Sequence, residues 1–334
     1  MDPVDPVALS RQLIDIDSTT GREGEVAAAL AAYLRQRGYS VLEQPLKDGR
    51  SNVIAAVGEP RVVFSTHFDC VPPFFPSRVD GSVLYGRGAC DAKGILAAQV
   101  AAAERLRAQG ETRIGLVFVA GEERGSDGAV AANQIDSQSK YLINGEPTDN
   151  RLGAATRGVL RIRLKAAGRA AHTGYPELGE SAIEKLLDVL MALRTASWPH
   201  DKSLGTTHYT VGLVSGGVAH NVVPPYAEAE VLFRTVAVHD ELRYVLRAVV
   251  GDRVEIEEVI EVPPVHLLTV PGFETAVFAY TTDIPLLKKW GTPLLLGPGS
   301  IHVAHTDREH VSIAELEEAV DLNEKLARQL LDAP

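Results

Sequence analysis

The run Ile114-Gly-Leu-Val-Phe-Val-Ala120 is apolar at nearly every position and stops at Gly121, with two consecutive carboxylates, Glu122 and Glu123, behind it. A strand with one face in water alternates apolar and polar residues, so a strand apolar throughout has to be covered on both faces. That requirement points to an α/β arrangement with helices packed on an interior sheet. Two further short apolar runs repeat the theme: Arg61-Val-Val-Phe-Ser-Thr66 leads to His67 and Asp69, and Lys140-Tyr-Leu-Ile-Asn144 leads to Gly145-Glu146. The two-residue period of a strand puts His67 and Asp69 on one face and Cys70 on the other. Ligands of open α/β sheets bind beyond the carboxyl ends of the strands, so three strands deliver chelating side chains to one edge.

Asp91 joins them by a different route. Gly86-Arg-Gly-Ala-Cys-Asp-Ala-Lys-Gly94 is a glycine-rich loop, followed by a helical pattern from Ile95 to Gln109 that Gly110 closes. Such a loop can cradle phosphate, but neither nucleotide-loop spacing, Gly-x-x-x-x-Gly-Lys-Ser/Thr or Gly-x-Gly-x-x-Gly, is present. The glycines instead allow the backbone to bring Asp91 close to a cation. His67, Asp69, Asp91, Glu122, Glu123 and Glu146 together suggest a buried two-metal hydrolytic centre.

Periodicity predicts helices near Val7–Asp17 and Gly24–Gln36 and strands near Ser40–Glu43 and Val53–Val57 ahead of the runs above. After Ala154 the pattern changes to a strand (Val159–Ala166), a helix (Ser181–Arg194), two strands (Thr207–Val214 and Ala227–Thr235), a helix (Asp240–Val250) and a strand (Val254–Val259). That βαββαβ order is the split βαβ, ferredoxin-like unit. Beyond Pro263-Pro264 the α/β pattern resumes with a helix near Phe273–Tyr280, a strand at Pro293–Leu296 and a helix from Ile313 to Leu331. The expected fold is α/β: a mixed-sheet catalytic domain sandwiched by helices, residues 1–155 and 265–334, interrupted by an inserted α+β domain, residues 156–264.

With 334 residues, 45% of them hydrophobic, the chain can bury a large core. A net charge of -11, with no basic run to offset it, excludes nucleic acid and anionic membranes as expected partners. No stretch reaches the length of a membrane span and the first residues carry no secretory pattern, so a cytoplasmic protein is expected. Cys70 and Cys90 are expected to be packed thiols.

His67-x-Asp69-x-Val71-Pro72, Gly86-Arg-Gly-x-x-Asp91-x-Lys93-Gly94, Glu122-Glu123, Glu146-Pro147 and Gly297-Pro-Gly299 followed by Ala304-His305-Thr306 resemble a known family. It comprises the dinuclear zinc metallopeptidases and deacylases that include acetylornithine deacetylase, succinyl-diaminopimelate desuccinylase and certain carboxypeptidases. The motifs run in order along nearly the whole chain. The resemblance implies two divalent cations, zinc or cobalt, with Asp91 bridging them, His67 and Glu146 completing one site and Glu123 and His305 the other. It implies Glu122 as general base towards a water polarised by the cations, and Asp69 as the carboxylate that orients His67.

In the inserted domain, Gly168-Arg-Ala-Ala-His172 resembles the segment whose histidine enters the partner subunit's active site in relatives and stabilises the oxyanion. The resemblance thereby implies a homodimer with a shared site. Arg157, Asn221 and Arg234 match positions that hold substrate carboxylate and backbone groups, and Thr282-Asp283 resembles another short motif near the substrate. The implied reaction is removal of an N-acyl group from a small amino acid, most like acetylornithine deacetylase in arginine biosynthesis. A lysine-pathway deacylase, a desuccinylase and a small-peptide exopeptidase share the same ligands. A catalytically silent amino-acid-binding protein is the rival of another class. The stretch between Val71-Pro72-Pro73 and Gly86 is short, and Phe74-Phe-Pro76 stands where relatives commonly have tryptophan.

Taken singly, these residues have plainer readings. Glu122-Glu123 is a common solvated turn, Asp69 can cap a turn, Asp91 can be the N-cap of the following helix, and His172 can be a surface loop residue. Among His302, His305 and His310 the residues alone do not choose a ligand; the Ala-His-Thr match selects His305, with His302 as neighbour or alternative.

Overall fold

A computed structural model describes residues 2–333. They form two compact units, one of 2–154, 267–276 and 282–333, the other of 155–266 and 277–281.

The first unit is organised by a six-stranded mixed sheet in the order Ser40–Pro45, Ser51–Ala56, Ile114–Val119, Val62–His67, Tyr141–Asn144, Thr292–Leu295. Ser51–Ala56 runs antiparallel to both its neighbours, whereas the last four strands of that order are mutually parallel. In register, Phe64 faces Leu116 on one side and Ile143 on the other, and His67 faces Val119. Alternate residues enter different cores. Val62, Phe64, Leu116, Phe118 and Ile143 pack with the helices Pro6–Ile14, Gly24–Gln36, Lys93–Ala108 and Ile313–Asp332, while Val63, Val117, Val119 and Leu142 pack with Ala129, Ala132, Leu287 and Trp290. This two-sided cover is why the strands are apolar along most of their length.

Lys93–Ala108 is buried on nearly all sides, which its alanines permit by keeping the helix narrow. Its Gln99 Nε2 donates to the carbonyls of Ser65 (3.1 Å) and Ile143 (3.4 Å). At its far end Glu104, 8% exposed, accepts from Arg37 (2.7 Å) and Tyr39 (2.9 Å) and pairs with Arg107 (2.7 Å). Burial opposes its charge, but these donors outweigh burial and hold the carboxyl below its ordinary value. A carboxyl lowered by folding adds stability above its unfolded value and loses it as pH falls through the folded one. Glu104→Gln is therefore expected to cost about 1–3 kcal/mol at pH 7. In urea melts, the gap to the parent protein should narrow on acidification below about pH 4; a gap independent of pH would sink this assignment.

The second unit has the order Gly158–Ala167, Ala182–Thr195, His208–Gly216, Tyr226–Thr235, His239–Val250, Glu255–Val262. Its four strands form an antiparallel sheet in which the second, third, first and fourth lie side by side. Leu160, Ile162, Leu164, Ala229, Val231 and Phe233 face Leu186, Val189, Leu193, Leu242 and Leu246 of the helices. The edge strand His208–Gly216 differs, with Leu213 65% and Val214 59% exposed.

One local expectation is corrected, and one of the plainer alternative readings falls away. Phe273–Tyr280 is not a helix: Thr275–Phe278 is a strand, following Pro271 and Gly272, and the β-branched Thr275 and Val277 fit that extended backbone better than a helical turn. Asp91 does not cap the helix after it. The cap position is Ala92, with no side-chain cap, because the Asp91 carboxylate is drawn to two histidines.

Candidate metal centre

The four parallel strands end at one edge of the sheet, and each is followed by a candidate ligand segment. His67 is the last residue of its strand and is 1% exposed. Its Nε2 lies 3.0 Å from Asp91 Oδ1 and 4.0 Å from Glu146 Oε2. On the other side, His305 Nε2 lies 3.2 Å from Asp91 Oδ2 and 2.8 Å from Glu123 Oε1. The two oxygens of Asp91 thus face two separate histidine-acid pairs.

A cation fits this set on its own chemistry. Ligand atoms of His67, Asp91 and Glu123 lie within 4.8 Å of one another, and donors about 2 Å from one tetrahedral ion sit roughly 3.3 Å apart. Glu146 Oε1 is buried without a hydrogen-bond partner. Burial, and then the negative charge of Glu122, Asp91 and Asp283, push the Glu146 carboxyl well above its ordinary range against the opposing pull of His67. Burial likewise pushes Glu122 up, reinforced by Asp283, Glu123 and Asp91. Hydrogen bonds that the His305 ring donates to the Asp91 and Glu123 carboxylates raise it to about 10. The pocket gathers more carboxylate than its histidines can neutralise, which is the balance a pair of divalent ions would redress.

Asp69 sits at the join of the two acidic segments. Its own carbonyl, 3.0 Å from His67 Nδ1, is the nearest acceptor for that ring, with Oδ1 at 3.5 Å. The carboxylate accepts the backbone N–H of Glu122 (3.0 Å) and Glu123 (3.2 Å) and the Thr20 hydroxyl (2.9 Å). It therefore orients the Glu122-Glu123 turn as much as the histidine. Gly121 enters that turn at φ 79°, where a Cβ would lie 2.3 Å from Asp127 Oδ1. His305 adopts φ 63°, a conformation costing a side-chain-bearing residue about 1–2 kcal/mol and frequent at functional sites.

Of the other histidines, His302 is exposed, and His310 is engaged by the Arg308 carbonyl (2.6 Å) and the Tyr85 ring. Asp283 is 2% exposed, and burial pushes its carboxyl up to about 6 against the pull of Ser126 and His67. Lys93 of the glycine-rich motif points away from the acids and donates to the carbonyls of Leu13 and Ile16, both at 2.8 Å.

In the second unit, His172 is exposed, its Nδ1 accepting the Gly174 N–H (3.0 Å), and the Thr173 N–H donates to the Asn221 carbonyl (3.2 Å). Arg157 donates to His208 Nδ1 at 2.7 Å and to the Leu204 carbonyl at 2.6 Å. Arg234 is the cross-strand partner of His208. Burial, then Arg157 and Arg234, push His208 below its ordinary value.

Sequence reasoning missed Glu309, which is 0% exposed and accepts N–H groups of Gly88 (2.9 Å), Cys90 (3.2 Å) and Asp91 (3.0 Å) and the Arg87 guanidinium (2.5 Å). A glycine-rich loop with no phosphate motif was its available signal, since such a loop still presents N–H groups to an anion.

Paired histidine-acid clusters on a shared aspartate, at the carboxyl ends of the parallel strands of a mixed sheet, define a metal-dependent hydrolase. Residues 63–329 match the profile of peptidase family M20/M25/M40, and the chain belongs to that family. A relative in Aspergillus fumigatus named "Probable carboxypeptidase" is 38% identical over 381 aligned positions, covering 98% of this chain and 87% of its own. Among solved structures, aminopeptidase PepT from Bacillus cereus superposes with a TM-score of 0.81 at 19% identity, covering 98% of each chain. A dinuclear metal binding peptidase of family M20 from Bacillus subtilis gives 0.73 at 16% identity, again covering 98% of each. Among the described residues no helix is long and apolar enough to cross a membrane.

Proposed function

We propose that the protein is a two-cation exopeptidase of the carboxypeptidase type, hydrolysing an amide bond next to a free α-carboxylate in a small peptide. The observation that carries this reading is Asp91, whose two oxygens each face a different histidine-acid pair. Asp91 would bridge, His67 and Glu146 would hold one ion and Glu123 and His305 the other, a nitrogen and oxygen set suited to zinc, with cobalt as substitute. Bound there, two divalent cations supply Lewis acidity at the scissile carbonyl and make water a nucleophile near neutral pH. Glu122 takes a proton from the attacking water and returns it to the leaving amine. Asp69 holds the amides of Glu122 and Glu123 so that base and ligand keep their spacing.

Arg157 and Arg234, beside His208, supply positive charge for the substrate carboxylate, and among the described residues neither arginine has a carboxylate partner. An N-acyl amino acid such as N-acetylornithine presents the same amide beside a carboxylate and is the second substrate class. The relatives' names favour peptides. Arg234→Ala is expected to raise KM for such substrates by about 10-fold or more through loss of a charge-assisted contact. Peptides amidated at the C-terminus should be hydrolysed equally poorly by both proteins; if Arg234→Ala leaves KM unchanged, the carboxylate assignment fails.

Homodimerisation with His172 and Asn221 serving the partner's substrate also forms part of the proposal. Supporting it is the exposed edge strand bearing Leu213 and Val214, an edge soluble proteins rarely leave open. Light scattering is expected to give twice the monomer mass for the parent protein and monomers for Leu213→Glu. Monomeric parent protein with full activity would refute the shared site. The test of the central reading is turnover of dipeptides, tripeptides and N-acetylornithine by protein loaded with zinc; no turnover of any of them would overturn it.

A further inference from the structure

We infer that Glu309 is the positioning residue of the bridging carboxylate, an internal anion around which the Gly86–Asp91 loop is wound so that Asp91 faces His67 and His305 together. The inference rests on the two-cation reading of Asp91 and goes beyond it. One oxygen, Oε1, takes the amides of Gly88, Cys90 and Asp91 at 2.9, 3.2 and 3.0 Å, and the other takes Arg87 at 2.5 Å. The Glu309 backbone carbonyl also accepts the Gly86 N–H at 3.2 Å. A salt bridge that served only to bury Arg87 would need none of these amides. The last of them belongs to Asp91 itself, one residue's backbone away from the candidate bridging oxygens.

The loop takes the form of an anion-binding nest, with successive N–H groups converging on one acceptor. Gly88 has φ 92°, and a Cβ there would sit 2.9 Å from Cys70 Sγ, so the winding requires glycine. The anion is supplied from the far end of the chain. Glu309 lies four residues beyond His305 and immediately before the strand His310–Ser312, which pairs with Val83–Tyr85 just ahead of the loop. The segment carrying His305 and the loop carrying Asp91 are thus clamped to each other through Glu309. His67 and Glu146 belong to separate strand ends that Glu309 does not touch. Loss of the clamp should therefore fall on the cation held by Asp91, Glu123 and His305 more than on its neighbour.

The test uses the full chain, stripped by chelator and titrated with Zn²⁺ by calorimetry and with Co²⁺ by visible absorption. Steady-state kinetics and circular dichroism are run alongside. Glu309→Gln is expected to keep one cation site near the parent affinity and weaken the other by about 10–100-fold. Its kcat should fall at limiting metal and recover at saturating metal, with KM within about 3-fold. Glu309→Asp, which keeps the charge but withdraws it by one carbon, covers the case in which the glutamine variant does not fold and should show the same selective loss. A lowered melting temperature with both affinities unchanged, or an equal loss at both sites, would overturn the inference. Asp91→Asn separates the two levels: if it binds both cations as the parent does, the bridging reading itself is wrong, whereas weakened binding there with none in Glu309→Gln condemns Glu309 alone.

Discussion

Glu122→Gln is expected to lower kcat by a factor on the order of 10²–10⁴, the range that a positioned proton-transfer group supplies, while leaving both cations bound. The amide matches the carboxylate in size, and the contact that Asp69 makes to residue 122 is to its backbone N–H, so the turn should keep its shape. Adjacent Glu123, which faces His305 at 2.8 Å, is the proposed ligand of the pair. Metal analysis by mass spectrometry and kcat measured at saturating substrate decide the matter. Full turnover in the variant would remove Glu122 as the base, and loss of metal together with activity would make it a ligand instead. The silent-binder alternative makes the opposite forecast, in which the substitution leaves ligand affinity and an already absent turnover untouched.

The second large effect is expected at Asp91. In Asp91→Asn one of the two oxygens becomes an N–H₂ group, which can donate but cannot ligate, so one histidine-acid pair loses its shared partner whichever way the amide turns. Cation stoichiometry should fall from two towards one, and turnover by a factor on the order of 10³ or more, since metal ion catalysis in such pairs depends on both ions clamping the reacting group. Against the opposing effect of burial, His67 and His305 hold the Asp91 carboxylate charged, well below its ordinary range, so the variant gives up favourable contacts and its fold is verified by circular dichroism before the metal is counted. Calorimetric titration with Zn²⁺ provides the check, and two undiminished binding events would rule out a bridge.

Much of the sheet edge was legible in the chain because its strands carry unusual information. A run such as Ile114–Val119, apolar on both faces, specifies its environment almost alone, and the residue types just past its end then stand out. The βαββαβ order was legible for a related reason: Tyr226–Thr235 buries every second residue, a plain period of two. The segment 273–280 was misread because one short apolar stretch fits both periods and only pairing with neighbours decides. The alternative of Asp91 as a helix cap gave way to contacts with His67 and His305, whose approach is a tertiary fact. Glu309 was invisible for a stronger reason. Arg87 and Glu309 are 222 positions apart, and in sequence Glu309 stands between Arg308 and His310, where a charged residue reads as surface.

The division of the first unit into separate chain segments dictates an order of events during synthesis. His67, Asp91, Glu122, Glu123 and Glu146 leave the ribosome first, together with the sheet strands up to Tyr141–Asn144. The strand Thr292–Leu295, His305 and Glu309 follow only after the whole second unit has been made, and that unit has its own core on which to fold as it emerges. Until then the early segment carries a knot of buried-type carboxylates with neither its edge strand nor its second histidine. On the proposed assignment, a nascent chain of this kind carries His67, Asp91 and Glu146 for one ion but lacks His305 for the other. Under the two-cation reading, the centre is completed only once the segment carrying His305 and Glu309 has emerged.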